Sequence, residues 1–259
     1  MVQIQNKFLS YSTYTRPGYK RSKTTKIAVH YTGDANAPGI NVRNYFENNR
    51  FGPKSISSNY VIGLQGEIIC CIPDEEIAWC TNQANSYSIS IETCHPKNDG
   101  AFTDATYISL CELCAMLLKK YKLGVNDLIR HYDVTGKQCP LHWVPTKYQK
   151  ESIATARWNI FKRDVQTVMN GGKVTRNNTV DVTENNIPVS NKIPYIVRVI
   201  DPALNIRSGP GVNNKIVGCI TNKGAYTIVK EKKVGSATWG KLKSGVGWIN
   251  VGSAYVKKV

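Results

Sequence analysis

The chain has 259 residues, enough for one large domain or two unequal ones, and its 41% apolar content supports a packed core. No run approaches the roughly 18 apolar residues of a membrane span, which argues against membrane insertion by a hydrophobic helix. The formal charge of +16 points to polyanionic partners, whether nucleic acid, anionic lipid or an acidic polymer.

Residues 1–26 are polar and tyrosine-rich and lack the apolar core of a secretory signal. The expectation is a chain that stays in the cytoplasm or leaves by a route that reads no N-terminal signal. Residues 27–31 alternate as a strand that carries His30. Residues 40–49 have helical spacing through Val42, Tyr45 and Phe46. Residues 60–64 and 67–72 read as a hairpin around Gln65-Gly66. Residues 88–93 alternate, with Ile89 and Ile91 on one face and Glu92 on the other. Thr103 is a plausible N-cap for a helix running to about residue 121. Residues 128–130 form a short strand that delivers His131, and residues 148–169 repeat the helical pattern. This order predicts an α/β domain with a mixed central β-sheet flanked by helices.

Residues from Asn170 to about Lys192 are rich in Asn, Thr and Gly and read as a linker. The predicted organisation is a catalytic domain over residues 1–168, a linker over 169–193 and a small all-β domain over 194–259. Five strand-like runs fall in that last part, at residues 195–200, 215–220, 225–230, 240–242 and 247–251, and suggest a small barrel. The last part also holds the densest charge, with 11 basic and 2 acidic residues, or +9. Its aromatics Tyr195, Tyr226, Trp239 and Trp248 are assigned mainly to the barrel core.

Eight cysteines in a chain of this size without a signal segment do not read as a disulfide scaffold. Cys111 and Cys114 follow the apolar face of the helix with Tyr107, Leu110, Leu117, Leu118 and Tyr121, as buried thiols do. Cys70 and Cys71 are strand neighbours and point to opposite faces.

The groups that suggest chemistry are His30, His131 and Cys139. Imidazole and thiolate are preferred zinc ligands, and a catalytic zinc site keeps three protein ligands and an open position. Cys139 lies eight residues after His131, past Gly136, so the loop can fold back to bring both to one ion. His142, three residues after Cys139, is the competing ligand, although Pro140 and Trp143-Val144 suggest that it starts a packing segment. A hydrolase also needs a base and an oxyanion partner. Glu92 is the candidate base, with Asp133 and Glu47 as rival carboxylates. Lys137, two residues before Cys139, is the candidate oxyanion partner.

Several segments together resemble the zinc N-acetylmuramoyl-L-alanine amidases, the family that includes phage endolysins and is related to peptidoglycan recognition proteins. They are Ile27-Ala28-Val29-His30-Tyr31-Thr32, Ser57-Ser58-Asn59-Tyr60-Val61-Ile62, Gly66-Glu67-Ile68-Ile69, Ala78-Trp79, Ser88-Ile89-Ser90-Ile91-Glu92 and the run from His131 to Pro140. The resemblance covers about residues 20–165. It implies Zn2+ on His30, His131 and Cys139, Glu92 as base and Lys137 as oxyanion stabiliser. The implied reaction is hydrolysis of the amide between N-acetylmuramic acid and the L-alanine of the stem peptide. The chain departs from common family residues at Asn59 and Cys80, where His is frequent, and at Ser90, where Gly is frequent. Ser58 or a neighbour stands where some relatives carry a catalytic Tyr, so the Glu92 form of the mechanism is the better match.

The last part resembles bacterial SH3 (SH3b) domains through Ala203-Leu204-Asn205-Ile206-Arg207-Ser208-Gly209-Pro210-Gly211, Val217-Gly218, Trp239-Gly240-Lys241-Leu242 and Gly247-Trp248-Ile249. That resemblance implies retention on cell-wall peptidoglycan, to which its charge adds anionic wall polymers. Together these features predict a bacteriophage endolysin, held in the host cytoplasm until release and then acting on the cell wall in host lysis. The rivals are a non-catalytic peptidoglycan-binding receptor and a zinc endopeptidase of wall crosslinks. A nucleic-acid binder ranks below these, because no basic run with interleaved aromatics tracks one face. Met169, at the linker, offers a further expectation: translation starting there would release a free binding domain able to associate with the full chain.

Overall fold

The computed structural model describes residues 2–175, 194–235 and 237–258. Most of the expected linker, residues 176–193, lies outside the described residues. The chain divides into two compact units, Met1–Pro188 and Val189–Val259.

The first unit is built on a six-stranded sheet. Its strands are β1 (Ile4–Asn6), β2 (Lys26–Val29), β3 (Tyr60–Ile62), β4 (Ile68–Cys70), β5 (Ser88–Thr93) and β6 (Leu128–Arg130), in the order β1-β4-β3-β5-β2-β6. Only the β3–β4 hairpin is antiparallel. The helices are α1 (Gly39–Asn48), α2 (Asp104–Lys120), α3 (His131–Thr135) and α4 (Glu151–Met169). Alternation along the strands loads both faces. Ile27, Val29, Ile89 and Ile91 pack in one cluster with Leu110, Leu117 and Leu118 of α2 and Phe161 and Val165 of α4. Val61, Ile69 and Cys71 pack in another with Phe46 of α1 and Leu9. Each fully buried Leu, Ile or Phe contributes about 1.5–3 kcal/mol of transfer free energy, so this double-sided core holds the sheet rigid.

The predicted cap of α2 is present: the Thr103 side chain accepts from Thr106 N at 3.0 Å. Cys111 and Cys114 are fully buried on its apolar face, and Cys70 and Cys71 fall in opposite clusters. All eight cysteines are free. Three strands were not anticipated from the sequence. They are β1, β8 (Leu204–Arg207) and β13 (Val256–Lys258). Each has four residues or fewer, too short for a period-2 pattern to stand out.

The second unit is a separate, all-antiparallel β structure. With β8 and β13 it contains β7 (Tyr195–Val199), β9 (Ile216–Ile220), β10 (Ala225–Val234), β11 (Ala237–Leu242) and β12 (Trp248–Asn250). The order is β13-β7-β10-β11-β12-β8-β9. Its core holds Val197, Val199, Leu204, Ile206, Ile228, Leu242 and Ile249 among others. Trp239 and Trp248 are buried, and Tyr195 and Tyr226 pack partly buried against the core. Gly240 is required by packing, since a Cβ there would lie 2.7 Å from Val251 and 2.9 Å from Ile228. Among the described residues no helix is long and apolar enough to cross a membrane.

Candidate active site

Parallel register brings the distant groups together. In β2 and β5, Val29 pairs with Ile91; in β2 and β6, Val29 pairs with Arg130. One residue further along each strand, Glu92, His30 and His131 therefore lie in one row at the carboxyl end of the sheet, the edge where open α/β sheets place their ligands. His131 is the first residue of α3. That short helix ends on Gly136, whose left-handed conformation (φ 77°) turns the chain back. The returning segment is tied down by Tyr132 N donating to Cys139 O at 3.0 Å. This places Cys139 Sγ 3.6 Å from His30 Nδ1.

His30, His131 and Cys139 each offer a ligand atom, and these atoms lie within 4.8 Å of one another. All three residues are buried. The two imidazole rings sit edge to face with centroids 4.9 Å apart. Each ring is held through its outer nitrogen. His30 Nε2 lies 2.8 Å from Thr81 Oγ1, and His131 Nε2 lies 2.9 Å from Asn82 Oδ1. The inner nitrogen of His131, Nδ1, is buried and has no hydrogen-bond partner.

This donor set fits zinc. With Zn–S near 2.3 Å and Zn–N near 2.0–2.1 Å, a tetrahedral centre has an S···N edge of about 3.6 Å, the separation found between Cys139 and His30. Burial keeps both imidazoles neutral: the His30 pKa falls well below its ordinary value and that of His131 falls to about 4, with the nearby Lys137 charge acting in the same direction. Burial, followed by the Glu92 charge, pushes the Cys139 thiol up to about 12. A cation is what would make such a thiol a thiolate ligand.

Thr81 and Asn82 were not singled out from the sequence, because a hydroxyl and an amide in an irregular segment carry no periodic signal. Their loop is pinned by Asn85, whose Oδ1 accepts from Cys80 N at 3.1 Å and Thr81 N at 2.6 Å. Thr81 Oγ1 also lies 2.9 Å from Ser90 Oγ, which explains why a hydroxyl suits position 90 here. Outer partners of metal-bound histidines fix ring orientation. Thr81→Val is therefore expected to weaken metal affinity by about 10–100-fold without unfolding the chain, measured by competition with a chelating dye.

Glu92 shares its side of β5 with Ser90. Its Oε1 accepts from Cys80 Sγ at 3.5 Å, and its Oε2 is buried without a partner. Burial raises its pKa to about 7, against the lowering effects of the Cys80 hydrogen bond and the Lys137 charge. Glu92 lines a cleft of about 410 Å³ together with Thr32, Asp34, Asn41, Tyr45 and Ile56. Lys137 is exposed on the loop after α3, and its charge acts on His30, His131, Glu92 and Cys139 alike.

The rival carboxylates are employed elsewhere. Asp133 pairs with Arg130 at 2.5 Å and caps α3. Glu47 pairs with Arg43 at 3.1 Å and Arg50 at 2.9 Å. Among the described residues His142 joins no metal-binding group, and the adjacent Trp143 stacks on Phe161 with centroids 4.6 Å apart. His95 is turned to Lys97 O at 2.7 Å.

Residues 20–142 match the family model described as N-acetylmuramoyl-L-alanine amidase. This stretch, just under half of the chain, is similar to that family. BlyA, an N-acetylmuramoyl-L-alanine amidase of Bacillus subtilis (strain 168), is 29% identical over 99% of this chain and 73% of its own length. CwlL, an N-acetylmuramoyl-L-alanine amidase of Bacillus licheniformis, is 35% identical, but the alignment spans 58% of this chain and 45% of CwlL. Among solved structures, PlyL superposes with a TM-score of 0.52 at 26% identity, covering 63% of this chain and 96% of PlyL. The PlyG catalytic domain gives 0.53 at 27% identity, covering 68% of this chain and 99% of that domain. The first unit of this chain thus carries the His–His–Cys group and Glu92 at one edge of an α/β fold shared with these solved structures.

Proposed function

We propose that the chain is a zinc-dependent peptidoglycan amidase of the endolysin type, hydrolysing the bond between the lactyl group of N-acetylmuramic acid and the L-alanine of the stem peptide. The observation that carries the reading is the row of Glu92, His30 and His131, closed by Cys139, with Glu92 lining a cleft. His30, His131 and Cys139 would hold the zinc, which when bound would supply Lewis-acid polarisation and lower the pKa of water towards about 7. Glu92 Oε2, free of any internal partner, takes the proton of the attacking water and returns it to the leaving alanine nitrogen. Thr81 and Asn82 hold the imidazoles in the tautomers that present Nδ1 inward.

Lys137, whose charge acts on the site, is assigned to the developing oxyanion. Loss of one oxyanion partner costs about 10²–10³ in turnover. Lys137→Ala is expected to lower kcat on this scale with KM little changed, read from steady-state kinetics on a soluble muropeptide; an unchanged kcat removes Lys137 from the mechanism.

The β unit is proposed as an SH3-type wall-binding domain. The alignment with BlyA runs through nearly the whole chain and so includes it. Its +9 charge suits a polymer bearing phosphate or carboxylate, and tethering raises the local substrate concentration for the amidase domain. Endolysin use, with the chain held in the host cytoplasm until release, belongs to the same proposal. Product analysis tests the reaction. An amidase frees the lactyl carboxylate of muramic acid, a crosslink endopeptidase frees only peptide termini, and a receptor frees neither.

A further inference from the structure

We propose that Cys80 and Glu92 form a second, inhibitory site for a thiophilic divalent cation, such as zinc in excess or cadmium, beside the catalytic centre. The reading rests on His30, His131 and Cys139 as ligands of the first ion.

The geometry is that of two ligands on one metal. Cys80 Sγ lies 3.5 Å from Glu92 Oε1. A tetrahedral zinc with Zn–S near 2.3 Å and Zn–O near 2.0–2.2 Å has an S···O edge of about 3.6 Å. A ligand atom of His30 lies within 4.8 Å of both groups. The second carboxylate oxygen, Oε2, is buried without a partner and so has a free lone pair for an incoming ion. The cleft that Glu92 lines also holds a second carboxylate, Asp34.

Charge permits two ions side by side. Cys80 as thiolate and Glu92 as carboxylate bring −2, which cancels the incoming dication, and Cys139 as thiolate removes one charge from the first. The ion takes the place of the Cys80 proton, which passes to solvent, and no redox step is involved. Soft thiolate ligands select zinc and its heavier relatives over magnesium or calcium, so the inhibition should be metal-selective. Inhibition follows because a cation held on Glu92 stabilises its ionised form and makes it a weaker base towards water.

The test uses the full chain in a Cys219→Ala background, since Cys219 is the exposed thiol. Metal-free protein is titrated with cadmium chloride while thiolate-to-cadmium charge-transfer absorbance is followed. Zinc-loaded protein is separately assayed for wall clearing against rising zinc chloride and, as a control, magnesium chloride. The parent chain is expected to show two thiolate steps, a tight one and a weaker one, and inhibition by zinc but not magnesium. Cys80→Ala and Cys80→Ser should each lose the weaker step and shift the inhibitory zinc concentration upward by at least about tenfold, since outer partners of a site already tune affinity by about 10–100-fold and a direct ligand does more. Cys80→Ser keeps a hydrogen bond to Glu92, so it separates metal binding from the positioning of the base; thermal unfolding checks that both variants fold. A parent chain that saturates after one step, or Cys80 variants that keep both steps and the parent inhibition, would overturn the proposal. A Cys139→Ala chain reports on the catalytic centre independently, losing the tight step if that centre is as described and keeping it if not.

Discussion

Glu92→Ala is expected to keep its zinc and to lose turnover on purified cell wall by about 10²–10⁴-fold, the usual contribution of a positioned acid–base group. The physical reasons lie in three observations. The β2–β5 register puts Glu92 next to His30 in the same row, so the carboxylate stands beside the His30–His131–Cys139 group. Its Oε1 is engaged by Cys80, which leaves Oε2 buried and unpartnered. Burial lifts its pKa to about 7, which makes it a stronger base than a solvated carboxylate. A base acts only when ionised, so activity should fall on the acid side; a dication in the His–His–Cys group favours the carboxylate form, which puts the acid limb below 7. Metal content by elemental mass spectrometry, wall-clearing rate and a thermal unfolding curve on one preparation separate the outcomes. A wild-type rate in Glu92→Ala means that another group takes the proton.

Cys139→Ser should lose both metal and activity. Outer partners of a metal site alone are worth about 10–100-fold in affinity, and a direct thiolate ligand is worth more. The replacement hydroxyl keeps the volume but is not ionised, so the remaining donors are two neutral imidazoles. Cys139 is buried, and its thiol lies 3.6 Å from His30 Nδ1 and also meets the backbone of Tyr31. The substitution therefore removes little besides the ligand, and the chain is expected to remain folded. Chelator treatment of the parent chain should reproduce the loss, and added zinc should restore the parent but not the variant. A Cys139→Ser chain that retains a stoichiometric ion and clears wall would show that the donors around His30 are completed differently.

Comparing these two variants separates base from ligand, a distinction that also bears on which parts of the site were readable before the fold was known. His30, His131 and Cys139 stood out because few residue types bind zinc and the chain has only four histidines. Glu92 stood out because alternation with Ile89 and Ile91 turned it away from the apolar face. Thr81, Asn82 and the Cys80–Glu92 contact did not stand out as working parts. They lie on a turn held by Asn85, where side-chain direction follows local hydrogen bonds rather than a period. Asp133 and Glu47 remained open as bases until Arg130, Arg43 and Arg50 were found beside them.

Residue chemistry and periodicity alone determined the three longer helices of the N-terminal unit, α1, α2 and α4, most of the strands and the short set of side chains able to bind a metal, but not the short α3. These follow from local rules, the 3.6 and 2.0 periods and the ligand preferences of imidazole and thiolate. The tertiary structure decided the register of β2 against β5 and β6. Apolar strands buried on both faces carry no local mark of where they align, and sliding one strand by a single residue would turn its side chains to the opposite face. Core packing against α1 on one side and α2 and α4 on the other selects the alignment in which Glu92, His30 and His131 share a row.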